Sequence, residues 1–134
     1  MYLVDTSVWI DFFRGRKVAH VDALRTILEG EEPVGTAPLI LQEILQGADS
    51  EQTFDKWLEY FSDLVCYVPD DLEGAHIAAA RLYERCRRAG RTPRSSNDCL
   101  IATIAIEREL VLLHNDRDFE VIRAAESTLR LYRL

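Results

Sequence analysis

Short apolar runs recur along the chain and alternate with longer stretches whose apolar residues are spaced three or four positions apart. A short apolar or β-branched run that stops at a charged or turn residue is typical of a buried strand. The pattern therefore predicts five strands, at Tyr2–Val4, Val34–Ala37, Leu64–Val68, Val111–Leu113 and Leu129–Tyr132.

Seven segments between and after these runs carry helical periodicity or helix-capping signals. Thr6 or Ser7 is expected to cap the first helix, and Pro38 suits the first turn of the third. Gly30 and Gly47 mark the ends of the second and third helices. The predicted helices span Val8–Phe13, Val21–Glu29, Pro38–Leu45, Ser50–Phe61, Asp70 or Asp71 to about Ala89, Ser95 or Ser96 to Glu109, and Phe119–Ala125.

Short strands that alternate with helices predict an α/β architecture, in which helices cover both faces of a parallel sheet. We therefore expect a three-layer α/β/α fold with short parallel strands. Ligands of such sheets bind outside the carboxyl ends of the strands. The residues that directly follow each strand are thus the first candidates for a functional site.

The composition is that of an ordinary folded domain, with 48% hydrophobic and 29% charged residues among 134. A chain of this length suits one domain, over residues 1–134. No apolar run approaches the roughly 18 residues that cross a bilayer, so no membrane association is expected. Asp5 interrupts the first apolar stretch, which argues against a signal peptide. Cys66, Cys86 and Cys99 are far apart, which favours a reducing cytoplasm over disulfides or a zinc knuckle.

The charge balance is acidic, with 16 basic and 23 acidic residues and a net charge of −7. A general nucleic-acid-binding protein is usually basic, so this balance argues against one. Net charge disfavours binding to nucleic acid only if the acidic residues lie on the surface and do not gather in a site.

Two acidic residues fall at the predicted carboxyl edge of the sheet. Asp5 ends the first strand, and Asp116 follows the strand Val111–Leu113 by three residues. A helix cap or turn is an alternative interpretation of Asp5, and an Asx-turn is an alternative for Asp116. Either residue alone is therefore weak support for a site.

Two further acids stand on predicted helices. Glu43 is the only charge in the helix Pro38–Leu45 and borders its apolar arc, although an exposed edge position would also explain it. Asp98 opens a helix that is apolar nearly all round and therefore buried. Its position three residues after Ser95 is also close to capping-box spacing.

The combination of the four acids is more informative than each alone. Four carboxylates that converge on one cleft cannot all stay ionised without cations. Oxygen-only ligation is what Mg²⁺ or Mn²⁺ prefers. Two such ions, roughly 4 Å apart, can activate a water and stabilise the leaving oxygen of a phosphodiester.

Four motifs, in this order, resemble the successive motifs of PIN-domain ribonucleases. They are Val4-Asp5-Thr6-Ser7, Leu41-Gln42-Glu43-Ile44, Asn97-Asp98-Cys99-Leu100-Ile101-Ala102 and Asn115-Asp116-Arg117-Asp118-Phe119. Their order and the chain length are similar to those of VapC-type toxins of bacterial type II toxin–antitoxin modules. The resemblance implies a PIN-like α/β/α fold and Mg²⁺- or Mn²⁺-dependent endoribonuclease activity. It also implies growth inhibition by RNA cleavage, neutralisation by a cognate antitoxin, and a homodimer.

The resemblance assigns the catalytic and metal-binding set to Asp5, Glu43, Asp98 and Asp116. Thr6 matches a hydroxyl position beside the first acid, and Asp118 matches a further acid that is often supportive. His114 is a departure, since the family often has Thr or Ser there. This departure leaves the fourth acid open between Asp116 and Asp118, with Asp116 preferred.

Basic residues are concentrated directly before Asp98, where five of the 16 occur: Arg85, Arg87, Arg88, Arg91 and Arg94. Arg91 and Arg94 are candidates for contact with RNA, because guanidinium groups match phosphate oxygens. Solvated helix ends are the alternative interpretation.

Large apolar side chains are a second unassigned feature. Trp9, Phe12, Phe13 and the helix Ser50–Phe61 supply more of them than a small core requires. They either pack in the core or form a groove for an antitoxin helix.

Two other functions fit part of the pattern. Another Mg²⁺-dependent phosphoryl-transfer hydrolase of the aspartyl-phosphate type would carry a second Asp two residues after Asp5, where the sequence has Ser7. A catalytically silent PIN-like binding module would not need all four acids, yet all four are present. Metal-dependent RNA cleavage distinguishes these hypotheses.

Overall fold

A five-stranded parallel sheet forms the centre of the molecule. The structure is a computed structural model that describes all 134 residues. The strands run in the order β3-β2-β1-β4-β5, and every neighbouring pair is parallel. In chain order they are β1 (Tyr2–Val4), β2 (Val34–Thr36), β3 (Val65–Cys66), β4 (Val111–Leu113) and β5 (Arg130–Leu131).

Seven helices cover the sheet: α1 (Thr6–Phe13), α2 (Ala19–Glu29), α3 (Pro38–Leu45), α4 (Glu51–Ser62), α5 (Leu72–Arg88), α6 (Ser96–Glu107) and α7 (Arg117–Ala125). Right-handed crossovers place α1 to α4 on one face and α5 to α7 on the other. The helix contacts fall mainly within these two groups. The predicted three-layer α/β/α arrangement with short parallel strands is therefore confirmed.

The helix boundaries differ from the prediction where aspartates act as caps. Asp5, and not Thr6 or Ser7, caps α1, because its side chain accepts a hydrogen bond from Ser7 N. Asp116 caps α7 by accepting from Asp118 N at 2.9 Å, so that this helix begins two residues earlier than expected. Two helices near the candidate site therefore begin directly after an aspartate.

The strand order reverses between β1 and β4. From β1 the chain moves outward through β2 to β3, whereas β4 lies on the other side of β1 and leads to β5. Asp5 N donates to Leu113 O at 2.9 Å, which joins the carboxyl ends of the two strands. This reversal is the point at which α/β sheets form a crevice for ligands.

Helix α1 is held in place from two sides. Trp9 is fully buried, and its ring packs edge-on against Phe61 at 5.0 Å between centroids. Nearby, Asp11 accepts a hydrogen bond from buried His20 at 2.6 Å, which ties α1 to α2. Arg16 Nε lies 3.4 Å from the other oxygen of Asp11. These contacts fix the helix that begins directly after Asp5.

The three cysteines are free, as their spacing predicts; Cys86 and Cys99 are buried, whereas Cys66 is exposed on the edge strand β3. No helix of the chain combines the length and the apolar character that a membrane span requires.

Replacing Asp11 with Ala is expected to lower the free energy of unfolding by about 2 kcal/mol, because the buried imidazole of His20 loses its charged hydrogen-bond partner. Urea denaturation measures the change. The matched control is Asp22→Ala on the exposed face of α2, where the pair with Arg25 is 4.0 Å long; it should change stability by less than about 0.5 kcal/mol. Equal effects of the two substitutions would contradict a stabilising role of the buried pair.

Candidate metal centre

A polar cleft of about 490 Å³ opens at the carboxyl edge of the sheet, where the strand order reverses. It brings together all five acidic residues proposed from the sequence. We call it the acidic cleft; its carboxylates are Asp5, Glu43, Asp98, Asp116 and Asp118. Thr6, Ser7, Ile10, Arg94 and Ser95 complete its lining.

Ser7 connects the two loops that carry the first and last acids. Its hydroxyl donates to Asp5 Oδ2 at 2.7 Å and accepts from Asn115 N at 3.3 Å. The residue after β1 is thereby joined to the loop after β4. Ser7 was expected as a helix cap and as part of the first motif, but no local pattern reveals its contact with a residue 108 positions away.

Glu43 and Asp98 enter the cleft from helices on opposite sides of the sheet, α3 and α6. Both are partly buried. Glu43 Oε1 is buried with no hydrogen-bond partner, and Asp98 faces four other carboxylates. An unpartnered buried carboxylate oxygen costs free energy unless a cation or proton meets it. Glu43 therefore occupies a partly buried position at the edge of the helix, with one carboxylate oxygen fully buried.

His114 stands where the family that the motifs resemble often has Thr or Ser. Its Nδ1 accepts a hydrogen bond from Asp116 N at 3.1 Å. A hydroxyl two residues before that nitrogen would make the same turn. His114 therefore shapes the loop that presents Asp116, and its ring packs beside Phe119 with centroids 5.2 Å apart.

Arg94 lies across the mouth of the cleft. Its guanidinium donates to Asp116 Oδ1 at 3.0 Å and to Asp118 Oδ2 at 3.3 Å. The Arg94 backbone N also donates to Asp118 Oδ2, at 2.9 Å. The side chain is 74% exposed, so solvent weakens these ion pairs and the guanidinium can leave. Arg91 lines the adjoining depression with Arg94 and Arg117.

Burial, with a smaller contribution from neighbouring charges, raises the pKa values of the acids that Arg94 does not reach. Burial raises the pKa of Asp98 to about 7, and the charges of Asp5, Asp116, Asp118 and Glu43 add to the effect. Burial is also the main cause that raises the pKa of Asp5 and the pKa of Glu43. The cleft thus concentrates negative charge that the chain's own donors only partly offset.

The donor set fits a hard divalent cation. Carboxylate oxygens of Asp98, Asp116 and Asp118 lie within 4.8 Å of one another, and the unpartnered Glu43 Oε1 lines the same cleft. Oxygen donors without nitrogen or sulfur suit Mg²⁺ or Mn²⁺. Asp116 and Asp118 both belong to this cluster, so geometry keeps both as candidates for the fourth acid.

Known proteins resemble this chain over nearly its whole length. The family model of the PIN domain matches residues 2–125. Ribonuclease VapC11 of Mycobacterium tuberculosis strain H37Rv is 38% identical over 123 residues, which are 91% of each chain. The chain belongs to the VapC family of PIN-domain proteins. The VapC ribonuclease Mb1587 of Mycobacterium bovis matches it with the same identity and coverage.

Solved structures show the same fold as this VapC-family chain. VapBC-1 from nontypeable Haemophilus influenzae aligns with a TM-score of 0.74 and 20% identity, over 98% of this chain and 96% of that one. VapBC2 from Rickettsia felis, bound to a DNA fragment from its promoter, gives 0.73 and 18% over the same shares. The PIN fold expected from the motifs is therefore confirmed.

In the metal-free protein, Asp98→Asn is expected to increase stability at pH 8 and to change it little near pH 4. At pH values between 3.8, the ordinary pKa of the group, and about 7, its pKa in the folded chain, the folded protein keeps a proton on Asp98 that the unfolded chain has lost. Wild-type stability therefore falls as the pH rises through this window. Urea denaturation in EDTA at both pH values measures the difference; a gain that is equal at pH 4 and pH 8 would contradict it.

Arg94→Gln is expected to tighten Mn²⁺ binding modestly, because it removes an exposed guanidinium that competes with the metal for Asp116 and Asp118. Isothermal titration calorimetry measures the affinity. Arg91→Gln removes a nearby cation that has no ion pair with the acids and should leave the affinity unchanged. Weaker Mn²⁺ binding by Arg94→Gln would show that Arg94 supports the centre instead of competing for it.

Proposed function

We propose that this protein is a divalent-metal-dependent endoribonuclease that acts as the toxin of a toxin–antitoxin module and is neutralised by a cognate antitoxin. The convergence of Asp5, Glu43, Asp98 and Asp116 on one cleft at the reversal of strand order carries this proposal. It is supported by the names of the relatives in M. tuberculosis and M. bovis, both described as ribonucleases.

In this proposal Asp5, Glu43, Asp98 and Asp116 hold Mg²⁺, or Mn²⁺, and Thr6 and Asp118 support them. A divalent cation bound there lowers the pKa of a water and offsets the negative charge that develops on a phosphodiester. The two oxygens of a carboxylate allow Asp116 to cap α7 and also to serve as a ligand. Asp116 Oδ1 and Asp118 Oδ2 each accept two hydrogen bonds, so hydrogen bonding does not separate the two acids. The family resemblance is what favours Asp116 as the fourth ligand.

The residues around the acids are arranged to position a phosphate. Helices α1, α6 and α7 all begin at the acidic cleft, and the positive ends of helices attract anions. Once a cation satisfies the acids, the exposed guanidinium of Arg94 is free to contact an RNA phosphate, with Arg91 beside it. The Nδ1 atom of His114 already accepts a hydrogen bond from Asp116 N, so we assign His114 no role in proton transfer.

An antitoxin would fit a groove beside the acidic cleft. This aromatic groove, with a volume of about 340 Å³, is lined by Ile10, Phe13, Ile44 and Trp57 among others. Phe54 and Leu58 are exposed on the adjoining helix α4, whereas Trp9 and Phe61 belong to the core. Structures described as VapBC complexes share the fold, which supports a helix of an antitoxin as the occupant.

The family resemblance also leads us to propose a homodimer that acts in the cytoplasm, where its RNA substrate is found. Light scattering of the purified chain tests the first point. The proposal of cytoplasmic action rests on the substrate and not on the lack of a membrane span.

Asp5→Asn is expected to reduce RNA cleavage by more than about 100-fold, since even outer-shell partners of metal sites contribute 10- to 100-fold. Asn can still cap α1 through its side-chain oxygen, so circular dichroism should match wild type. Because burial raises the pKa of Asp5, loss of its charge should leave the unfolding midpoint equal to or above that of wild type. The assay is cleavage of total RNA with Mg²⁺ or Mn²⁺, and with EDTA as a blank.

Asp22→Asn, on the exposed face of α2, is the control for that experiment and should cleave normally. Expression of wild type without an antitoxin should arrest growth, whereas Asp5→Asn should not. Undiminished metal-dependent cleavage by Asp5→Asn would overturn the assignment of the centre. A folded, metal-loaded wild type that cuts no RNA would favour a binding module.

A further inference from the structure

A second cavity, of about 630 Å³, adjoins the acidic cleft on the side of β5. Asp116 lines both spaces, so that they form a continuous surface. Three arginines line this cavity: Arg117 and Arg123 on α7, and Arg133 after β5. We call it the arginine groove.

The three arginines of the groove have no acidic partner within 4 Å. In this respect they differ from Arg85, Arg88 and Arg94, whose charges are paired with Glu126, Glu84 and two aspartates. Unpaired guanidinium groups keep their donors available, and a guanidinium presents a fork that matches phosphate oxygens. The groove thus holds cationic donors that the fold itself does not use.

Two acidic residues also line the groove, and neither neutralises these arginines. Asp116 is held by Arg94 and the α7 backbone. Glu120 lies 3.6 Å from His114 Nε2, with its side chain 67% exposed. The remaining wall includes Tyr132, a partly exposed ring that directly follows β5. Cations together with an aromatic ring are the combination that binds single-stranded nucleic acid.

We propose that the arginine groove binds the single-stranded segment of RNA that flanks the cleaved phosphate. Arg117, Arg123 and Arg133 contact its backbone phosphates, and the ring of Tyr132 supports a base. This inference rests on the proposed ribonuclease function and adds the path by which the substrate leaves the acidic cleft. Arg117 also lines the depression that contains Arg91 and Arg94, so the cationic surface extends along the cleft mouth.

RNA fits this surface better than a protein segment does. Only three of the ten residues that line the groove are hydrophobic, whereas protein helices dock through apolar anchors. The groove also begins at Asp116, next to the position where the proposed cleavage places a phosphate. A ligand with regularly spaced negative charges, such as RNA, matches both the polar lining of the groove and its position next to Asp116.

The test measures binding of a fluorescein-labelled single-stranded RNA by anisotropy between 50 and 200 mM KCl (roughly the range over which phosphate contacts lose most affinity). All proteins carry Asp5→Asn, so that the RNA stays intact. The triple variant Arg117→Ala, Arg123→Ala, Arg133→Ala should bind at least about tenfold more weakly at low salt. The slope of log affinity against log salt should fall by about 2, at about 0.7 per phosphate contact.

A matched control removes three other exposed cations, with Lys17→Ala, Arg81→Ala and Arg87→Ala. It should keep both the affinity and the salt slope of the parent. Glu120→Gln removes an acid from the groove and should tighten binding, which loss of folding cannot mimic. Arg123→Ala alone should also weaken RNA binding, by a smaller factor, and replaces the triple variant if that variant does not fold.

The outcomes separate this inference from the proposed function. If wild type cleaves RNA but the groove variant binds it as the control does, the groove is not the substrate path and the ribonuclease proposal stands. If wild type neither binds nor cleaves RNA, the proposed function itself fails. Unchanged RNA binding with lost neutralisation by the antitoxin would show that the groove takes a protein partner, which overturns the inference.

Discussion

Repulsion between carboxylates at one edge of the sheet is the constraint on which the rest of the structure depends. The backbone leaves little freedom here, because Asp5 N bonds to Leu113 O and brings the ends of β1 and β4 together. Several donors of the chain offset part of the charge: Ser7, the α7 backbone and Arg94. None of them reaches Glu43 Oε1, which stays buried without a partner. The fold therefore gathers more negative charge than it compensates, which is the arrangement that a divalent cation would complete.

The same carboxylates stabilise local structure and form the candidate centre. For Asp5 and Asp116, the sequence leaves open whether each is a helix cap or a site residue, and the structure shows both to be caps inside the cleft. The two roles are compatible because a carboxylate has two oxygens. Capping also fixes the side chains before any ligand arrives, which lowers the cost of organising a metal site. The acidic net charge of −7 is thus partly a property of the site and not only of the surface.

The elements were predictable from periodicity along the chain, and the four acids from their places at strand ends and on apolar helices together with the family resemblance. Apolar runs located the strands, and the rule for parallel sheets placed Asp5 and Asp116 at one edge. The compensating contacts were not predictable, since Arg94 and Asp116 are 22 positions apart and Ser7 and Asn115 are 108 apart. For the same reason the dense arginine run before Asp98 could be recognised from the sequence, whereas the grouping of Arg117, Arg123 and Arg133 in one groove could not. These residues become neighbours only when α7 and the segment after β5 pack together.

The surfaces on the two sides of the acidic cleft differ in chemistry, and this difference bears on how the protein would be controlled. Ile10 lines both the cleft and the aromatic groove, whereas Asp116 lines both the cleft and the arginine groove. A partner that buries Phe54 and Leu58 on α4 therefore reaches the cleft from the side of Asp5 and Glu43. RNA held by Arg117 and Arg123 reaches it from the side of Asp116. Under the proposed function, the two ligands would need no common contact outside the acids. Blocking the cleft itself would then suffice for neutralisation, and the partner would not have to imitate RNA.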